Sequence, residues 1–425
     1  MNREIILTRL PVGGQRVLSY LRMENGRAVQ MELEPPSETE RTGNIYMGRI
    51  EKIVPQLKAA FVRMYGDRIG FLPLAKARHC ICRIPRPDGS LKEQDELLVQ
   101  IEREAIRGKL PSLKTALEFP GKFLVLLTDH TGIFHSPRLE KEQKERIGQL
   151  LKKWMEEKDL TFGILARTNA GSASEEELQE EWEKLYEQAS AVCRYGVTRA
   201  AGTCLRRPPA FWQELLEGLP RGESTRILTD EKEILQQLNS STYRKASEDG
   251  DTIMTEWYGE TLQPLYKKYG LEELLTKATE ARVELPSGGF LMIEQTEAFA
   301  AVDVNSGRSR SAQDSDEFYF QVNREAAVEI VHQLRLRNLS GTILIDFINM
   351  KEKAHLEQLF LELQRGFRKD PVRTTAVDIT ALKIIEVTRQ KVRRPLYEQV
   401  AYYCQENRVI AERKGGSTEC CMTGK

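Results

Sequence analysis

An α/β multidomain fold is predicted by three features of the sequence. Two apolar strands, Ala301 to Gly307 and Ile343 to Ile348, flank a segment with helical periodicity, the pattern of a strand-helix-strand crossover. A β-rich stretch from about residue 38 to 118 has short strands set apart by turn residues, which is the pattern of a small barrel and most simply of an OB-fold. At 425 residues the chain exceeds one ordinary domain and can bury several cores.

In chain order, the first 35 residues read as paired strands (Glu4 to Leu10, Val17 to Met23, Val29 to Leu33) joined at Gly13-Gly14 and Asn25-Gly26. The barrel follows, with strands at Asn44 to Ile53, Ala59 to Met64, Ile69 to Leu72, Leu97 to Ile101 and Lys122 to Leu127. Phe61 and Phe71 lie on two of these strands, across the turn at Gly66-Asp67. They either stack on the bases of a single-stranded nucleic acid or fill the barrel, and spacing leaves both open. Residues 120 to about 210 read as an α/β unit with strands Phe123 to Leu127 and Phe162 to Ala166. Arg167-Thr168, straight after the second strand, joins a guanidinium fork to a hydroxyl, a combination that suits a terminal phosphate. From 210 to 280 the pattern is helical around a strand at Ile227 to Thr229. The last unit, about 282 to 400, holds the crossover, then a helix from Lys351 to Arg368 stopped by Asp370-Pro371 and a strand at Ile384 to Val387. One short helix and a polar tail follow Arg394-Pro395.

The crossover carries the chemistry. Between its strands, from about Asp316 to Leu336, apolar residues recur at helical intervals (Phe320, Ala327, Ile330, Val331, Leu334), and Gly341 closes the segment. Such a connection makes its strands parallel, and if they are neighbours in the sheet, about 4.8 Å apart, Asp303 and Asp346 leave the same carboxyl edge side by side. Two ionised carboxylates so close repel, and a shared hard cation with oxygen ligands, magnesium, is the simplest remedy. Asn305, two residues beyond Asp303, faces the same side. A calcium-loop reading of Asp303-x-Asn305-x-Gly307 fails, because no helix enters the loop and the Gly falls one place early.

Composition sets outer bounds. Lys plus Arg and Asp plus Glu number 63 each, so net charge points to no polyanionic partner. Distribution says more: acidic residues crowd Glu175 to Glu187, while Arg308, Arg310, Arg335, Arg337, Lys383, Arg389, Lys391, Arg393 and Arg394 gather around the carboxylate pair in sequence. A basic rim about a metal-seeking centre suits a phosphodiester chain. No run approaches the roughly 18 apolar residues of a membrane span, and the N-terminus turns polar too early for a signal peptide. The seven cysteines are scattered without a Cys-x-x-Cys, as in a reducing compartment, and a cytoplasmic location is expected.

The segments Gly43-Asn44-Ile45-Tyr46-Met47-Gly48-Arg49-Ile50, Ala59-Ala60-Phe61-Val62, Gly70-Phe71-Leu72-Pro73-Leu74, Leu285-Pro286-Ser287-Gly288-Gly289, Ala301-Val302-Asp303-Val304-Asn305-Ser306-Gly307 and Ile345-Asp346-Phe347-Ile348 resemble, in order and context, those of the ribonuclease E/G family. The resemblance covers roughly residues 1–400. It implies a ribonuclease-H-like subdomain (1–37 with 210–280), an inserted OB-fold RNA-binding barrel (38–118), a sensor of the RNA 5′ end (119–209), a DNase-I-like catalytic subdomain (281–400) and a polar tail (401–425). It implies a magnesium-dependent endoribonuclease acting on single-stranded RNA, such as ribosomal-RNA precursors and messenger RNA, and leaving 5′-phosphate and 3′-hydroxyl ends. Asp303 and Asp346 match the metal-binding catalytic pair, with Asn305 the supporting amide. Phe61 and Phe71 match the aromatics that clamp a base, Lys109 a substrate contact, Arg167 and Thr168 the 5′-monophosphate pocket beside Arg138, and Arg373 an arginine close to it.

The chain also departs from the family pattern. Leu110-Pro111 replaces the usual Gly after Lys109, and Phe134 stands where a small residue is common before Ser136-Pro137-Arg138. The Cys-Pro-x-Cys-x-Gly-x-Gly segment that shares a zinc ion between subunits is absent, so a homo-oligomer is compatible with the sequence but a zinc-linked dimer is not expected. The alternative from another class is a catalytically silent RNA-binding protein that kept the grip and lost the chemistry.

Overall fold

The computed structural model describes residues 3–35, 41–77, 79–105, 110–158, 162–219, 223–240, 253–259, 262–296, 298–307 and 316–413, with side chains as far as Cys404. Two compact units emerge, Met1–Pro36 with Leu219–Lys425, and Ser37–Gly218.

The first unit begins with an antiparallel meander of β1 (Arg3–Val12), β2 (Gln15–Glu24) and β3 (Arg27–Leu33). Both hairpins turn on two residues of positive φ, Gly13-Gly14 (53° and 75°) and Asn25-Gly26 (51° and 78°), which matches the right-handed twist of the strands. A side chain at Gly13 would strike the backbone carbonyl of Tyr403 at 2.5 Å, so the glycine is needed for packing as well as for φ.

The second unit opens with the barrel. It contains β4 (Ile45–Val54), β5 (Ala59–Tyr65), β6 (Arg68–Pro73), β7 (Glu96–Arg103) and β8 (Ser112–Lys114) in the order β4-β5-β6-β8-β7, and β7 pairs back on β4 to close it. This closed five-stranded barrel is consistent with an OB-fold, as the sequence predicts. Its interior is filled by Tyr46, Ile50, Ala60, Val62, Met64, Leu72, Val99 and Leu113. The short β8 escaped the sequence reading because three residues carry no periodicity.

Beyond the barrel the chain forms β9 (Glu118–Pro120), β10 (Leu124–Leu127), β11 (Gly132–His135), α1 (Lys141–Lys158), β12 (Gly163–Ala166) and α2 (Glu175–Tyr195). The sheet order is β11-β12-β10-β9, with β11 and β12 parallel across α1, so the Lys122 to Leu127 strand read with the barrel pairs here with β9 and β12 instead. Helix α2 starts at a capping box between Ser174 and Glu177, and its Leu178, Trp182, Leu185 and Ala189 enter the core over the sheet. The acidic run seen in the sequence is therefore, Glu181 apart, the solvated face of an amphipathic helix. Then β13 (Cys204–Arg206) returns to pair with β4, and α3 (Phe211–Glu217) ends the unit.

The chain re-enters the first unit through β14 (Thr225–Thr229), α4 (Lys232–Ser240) and β15 (Ile253–Trp257), which extend the opening meander into a sheet ordered β15-β14-β1-β2-β3. β1 lies between β14 and β2, and its Ile6, Leu10 and Val12 share a core with Leu265, Leu271 and Val400. After α5 (Leu265–Lys268) and α6 (Leu271–Thr279) come β16 (Arg282–Glu284), β17 (Phe290–Gln295), β18 (Phe299–Asn305), α7 (Asp316–Leu336), β19 (Gly341–Asp346), α8 (Lys353–Phe367), β20 (Thr374–Ile379), β21 (Ile385–Arg389) and α9 (Leu396–Arg413). The strands form one sheet, β16-β17-β18-β19-β21-β20, in which β18 and β19 are parallel and the other described pairs antiparallel. The crossover helix matches the expected span, whereas α9 is a long helix, not the short one predicted; Leu396, Val400 and Tyr403 pack it against the first sheet.

Helices α7 and α8 cover one face of this second sheet. Val302, Val304, Ile343 and Ile345 point into that core against Phe320, Ala327, Ile330, Leu334, Leu359 and Leu363. Each fully buried aliphatic such as Ile330 or Ile343 stabilises the unit by roughly 1.5–3 kcal/mol. The period of two then places Ala301, Asp303, Asn305, Leu344 and Asp346 on the opposite face, where none is buried. None of the helices among the described residues is long and apolar enough to cross a membrane.

Candidate active site

Asp303 and Asp346 are direct partners in the parallel ladder, at the ends of β18 and β19. On the other side of Asp303 the partner is Met292, so one row across the sheet reads Met292, Asp303, Asp346. Both carboxylates are exposed, on the face opposite α7 and α8. Burial, and then the charge of Asp303, push the Asp346 carboxyl above the usual carboxylate range. Asn305 Nδ2 donates to Asp303 Oδ2 at 2.8 Å, which holds the Asp303 side chain and leaves its oxygens turned to the same face. Among the described residues no cluster of three or more His, Cys, Asp or Glu gathers as a ready-made metal site. The carboxylate pair with its amide is thus an oxygen-only, incomplete donor set, of the kind a hard cation fills with water and substrate oxygens.

The basic rim expected from the sequence needs correction. Arg337 is buried and donates to Gln333 Oε1 and Glu280 O, both at 2.5 Å, while Arg389 is buried against Asp370 (2.8 Å), Asn338 (2.8 Å) and the Leu339 carbonyl (2.9 Å). Arg335 pairs with Glu24 at 3.0 Å. These guanidiniums fasten elements together; sequence proximity could not separate them from surface cations. Arg308 and Arg310 lie outside the described residues. Lys383 and Arg373 are exposed; Lys383 Nζ donates to the Met350 carbonyl at 3.2 Å, and the Arg373 carbonyl accepts from Gln390 N at 3.0 Å.

In the other unit, Phe61 and Phe71 are direct cross-strand partners on β5 and β6, with ring centroids 6.0 Å apart and planes at 72°. Their neighbours Ala60, Val62 and Leu72 fill the barrel, so the two rings face outward, half-buried. The alternative in which they fill the interior is excluded by this alternation. The row continues on both sides: Lys52 is opposite Phe61, and Ser112 is opposite Phe71 with Arg103 beyond it. Lys52 and Arg103 are exposed, and the sequence reading missed both, because only the closed barrel's register aligns them. Lys109 lies outside the described residues.

The ends of β11 and β12 bring Ser136 and Thr168 together, their hydroxyls 2.9 Å apart, with Arg138 N donating to Ser136 Oγ at 3.4 Å. Arg167, Thr168 and Arg138 are exposed there. Arg167 Nη1 donates to the Gly121 carbonyl at 2.7 Å. The turn bearing that carbonyl wraps the Glu181 carboxylate, which accepts from the backbone N–H groups of Lys122 (2.5 Å), Phe123 (2.8 Å) and Leu124 (2.8 Å). Phe134 is 39% exposed and packs edge-on against His130 at 5.5 Å. Cys80, Cys82, Cys193, Cys204 and Cys404 carry free thiols.

The model of the Ribonuclease E/G family matches residues 118–392. The chain belongs to the ribonuclease E/G family. It is 32% identical over 385 residues to ribonuclease E of Synechocystis sp., an alignment covering 88% of this chain and 56% of that protein. It is 28% identical over 393 residues to ribonuclease G of Haemophilus influenzae (90% of this chain, 79% of that protein) and 30% identical over 400 residues to ribonuclease E of Escherichia coli (92% and 37%). The chain thus spans little more than half of one ribonuclease E and about two fifths of the other. The family match includes Asp303, Asn305, Asp346, Arg167, Thr168, Arg138 and Arg373, whereas Phe61 and Phe71 precede it.

Proposed function

We propose that the chain is a magnesium-dependent endoribonuclease that hydrolyses single-stranded RNA, leaving 5′-phosphate and 3′-hydroxyl ends. The observation that carries this reading is the in-register pair Asp303 and Asp346 on the sheet face opposite α7 and α8, steadied by Asn305, in a chain of this family. The donors fit the ion: they are carboxylate oxygens that repel one another, and burial followed by the Asp303 charge raises the Asp346 carboxyl above the usual range. When bound, magnesium would neutralise phosphoryl oxygens and orient an attacking water. Asp303 and Asp346 would hold it, with Asn305 restraining Asp303 through its hydrogen bond.

On this reading the barrel grips RNA. Each base stacked on Phe61 or Phe71 contributes roughly 1–3 kcal/mol, and Lys52 and Arg103, with Lys109, would hold flanking phosphates. Ser136, Arg138, Arg167 and Thr168 would form the receptor for a 5′-monophosphate, and Arg373 would be a further RNA-binding residue. In these terms the sheet β15-β14-β1-β2-β3 belongs to a ribonuclease-H-like subdomain, β4 to β8 to the RNA-binding barrel, β9 to β12 to the 5′-sensor, and β16 to β21 to a DNase-I-like catalytic subdomain. The substrates would be ribosomal-RNA precursors and messenger RNA in the cytoplasm, and any homo-oligomer would form without the family's zinc link.

The test is incubation of a fluorescent single-stranded oligomer with magnesium or with EDTA, by wild type, Asp303→Asn and Asp346→Asn. Cleavage by wild type with magnesium alone, lost in both variants while RNA binding persists, is the expected result. Binding without cleavage by wild type would favour the catalytically silent alternative.

A further inference from the structure

The turn that follows Asp346 has few backbone partners of its own, yet it is tied down by side chains from three other places. Asn323, in the middle of α7 and fully buried, bonds Ile348 twice: its Nδ2 donates to the Ile348 carbonyl at 2.8 Å and its Oδ1 accepts from Ile348 N at 3.0 Å. Lys383 Nζ donates to the Met350 carbonyl at 3.2 Å. Asp316, the first residue of α7, accepts from Lys351 N at 2.5 Å and Glu352 N at 3.2 Å, and His355 lies 3.2 Å from its carboxylate while stacking on Phe320 at 4.1 Å. A primary amide can satisfy a backbone N–H and C=O together, as a neighbouring strand would. Asn323 therefore stands in for the strand that β19 lacks beyond its last ladder pair.

A buried Asn in mid-helix is a poor choice for helix propensity and for the core. Each unmade bond of such a group costs about 1–3 kcal/mol, so both contacts must be kept for the residue to be tolerated there. Its two bonds end on a residue two positions past Asp346. Between them lies only Phe347, buried in the core. The Asp346 backbone is thus fixed on one side by the ladder to Asp303 and on the other by Asn323.

We propose that Asn323 is a positioning residue for the metal site: by clamping Ile348 it holds Asp346 level with Asp303, so that both carboxylates meet one divalent cation. The inference rests on the reading of Asp303 and Asp346 as the cation ligands. Loss of the clamp would free the turn to move without disturbing the RNA-binding barrel. The effect would appear as weaker cation binding and a lower kcat, with little change in KM for RNA.

The experiment measures cation binding without RNA, by calorimetric titration of the full chain with Mn2+, alongside Mg2+-dependent cleavage. The proteins are wild type, Asp346→Asn, Asn323→Ala and Asn323→Ser, the last of these keeping one small polar group if the alanine variant folds poorly. Expected are a five- to twentyfold weaker cation affinity in the Asn323 variants, a matching rise in the magnesium needed for half-maximal cleavage, a kcat at least tenfold lower at fixed magnesium, and KM within about twofold of wild type. A folded Asn323 variant with wild-type cation affinity would overturn the inference while leaving the carboxylate assignment in place. Wild-type cation affinity in Asp346→Asn would instead overturn the carboxylate assignment, and the role of Asn323 with it.

Discussion

The parallel pair β18–β19 in one unit and the parallel pair β11–β12 in the other are the same backbone device carrying opposite charge. Each is a crossover through one helix, α7 or α1, and each sits beside antiparallel strands. At the first edge stand Asp303 and Asp346, with Asn305 bonded to one of them. At the second stand Arg167, Thr168, Ser136 and Arg138. The backbone decides where a ligand can sit, since strand ends leave groups unpaired by the ladder. The side chains decide the sign of the ligand, with repelling carboxylates calling for a cation and guanidiniums with hydroxyls for an anion.

The comparison breaks most readily at the acidic edge. Asp303→Asn or Asp346→Asn should lower single-turnover cleavage by roughly three orders of magnitude or more while leaving oligomer affinity nearly unchanged. Equal loss of affinity and rate would mean that the edge binds RNA and performs no chemistry. Next in size, Phe61→Ala or Phe71→Ala should weaken binding of a single-stranded oligomer by roughly 1–3 kcal/mol, read by fluorescence anisotropy, because the rings face outward from the barrel. If these variants lost folding stability and kept affinity, the outward assignment would fail.

The basic edge gives a subtler signal. Arg167→Ala should reduce roughly tenfold the preference for a 5′-monophosphate over a 5′-hydroxyl oligomer, and leave the rate on the 5′-hydroxyl substrate as in wild type. The smallest effect lies away from both edges. Burial alone would raise the Glu329 carboxyl, but hydrogen bonds from His332 and Gln333 and the charges of His332 and Arg27 hold it down at about 2. A depressed carboxyl contributes stability above its unfolded value, about 4.3, and loses it as pH falls towards 2. The thermal midpoint of wild type should therefore fall more steeply than that of Glu329→Gln across this acid range, and parallel curves would contradict it.

Much of the acidic edge was legible in the sequence. Apolar alternation marked β18 and β19, helical periodicity marked α7, and the crossover rule made the two strands parallel; that they are neighbours, with Asp303 opposite Asp346, came from the sheet order and register. The barrel strands β4 to β7 were legible for the same reason, and so was the β12 end that presents Arg167 and Thr168. These are short-range patterns, repeated often enough along the chain to outweigh local noise.

Other features depended on distant parts of the chain meeting. Arg337 and Arg389 carry the same formal charge as a surface arginine, and only their packing against Gln333, Glu280 and Asp370 makes them fasteners of the core. Whether Phe61 and Phe71 faced in or out was settled by closure of the barrel, which also aligned Lys52 and Arg103 with them. The sequence by itself determined which residues could carry the chemistry, because local periodicity dictates strand, helix and face. Tertiary structure alone decided which of the charged and aromatic groups remain available to a ligand, because burial and partner choice depend on segments far apart in the chain.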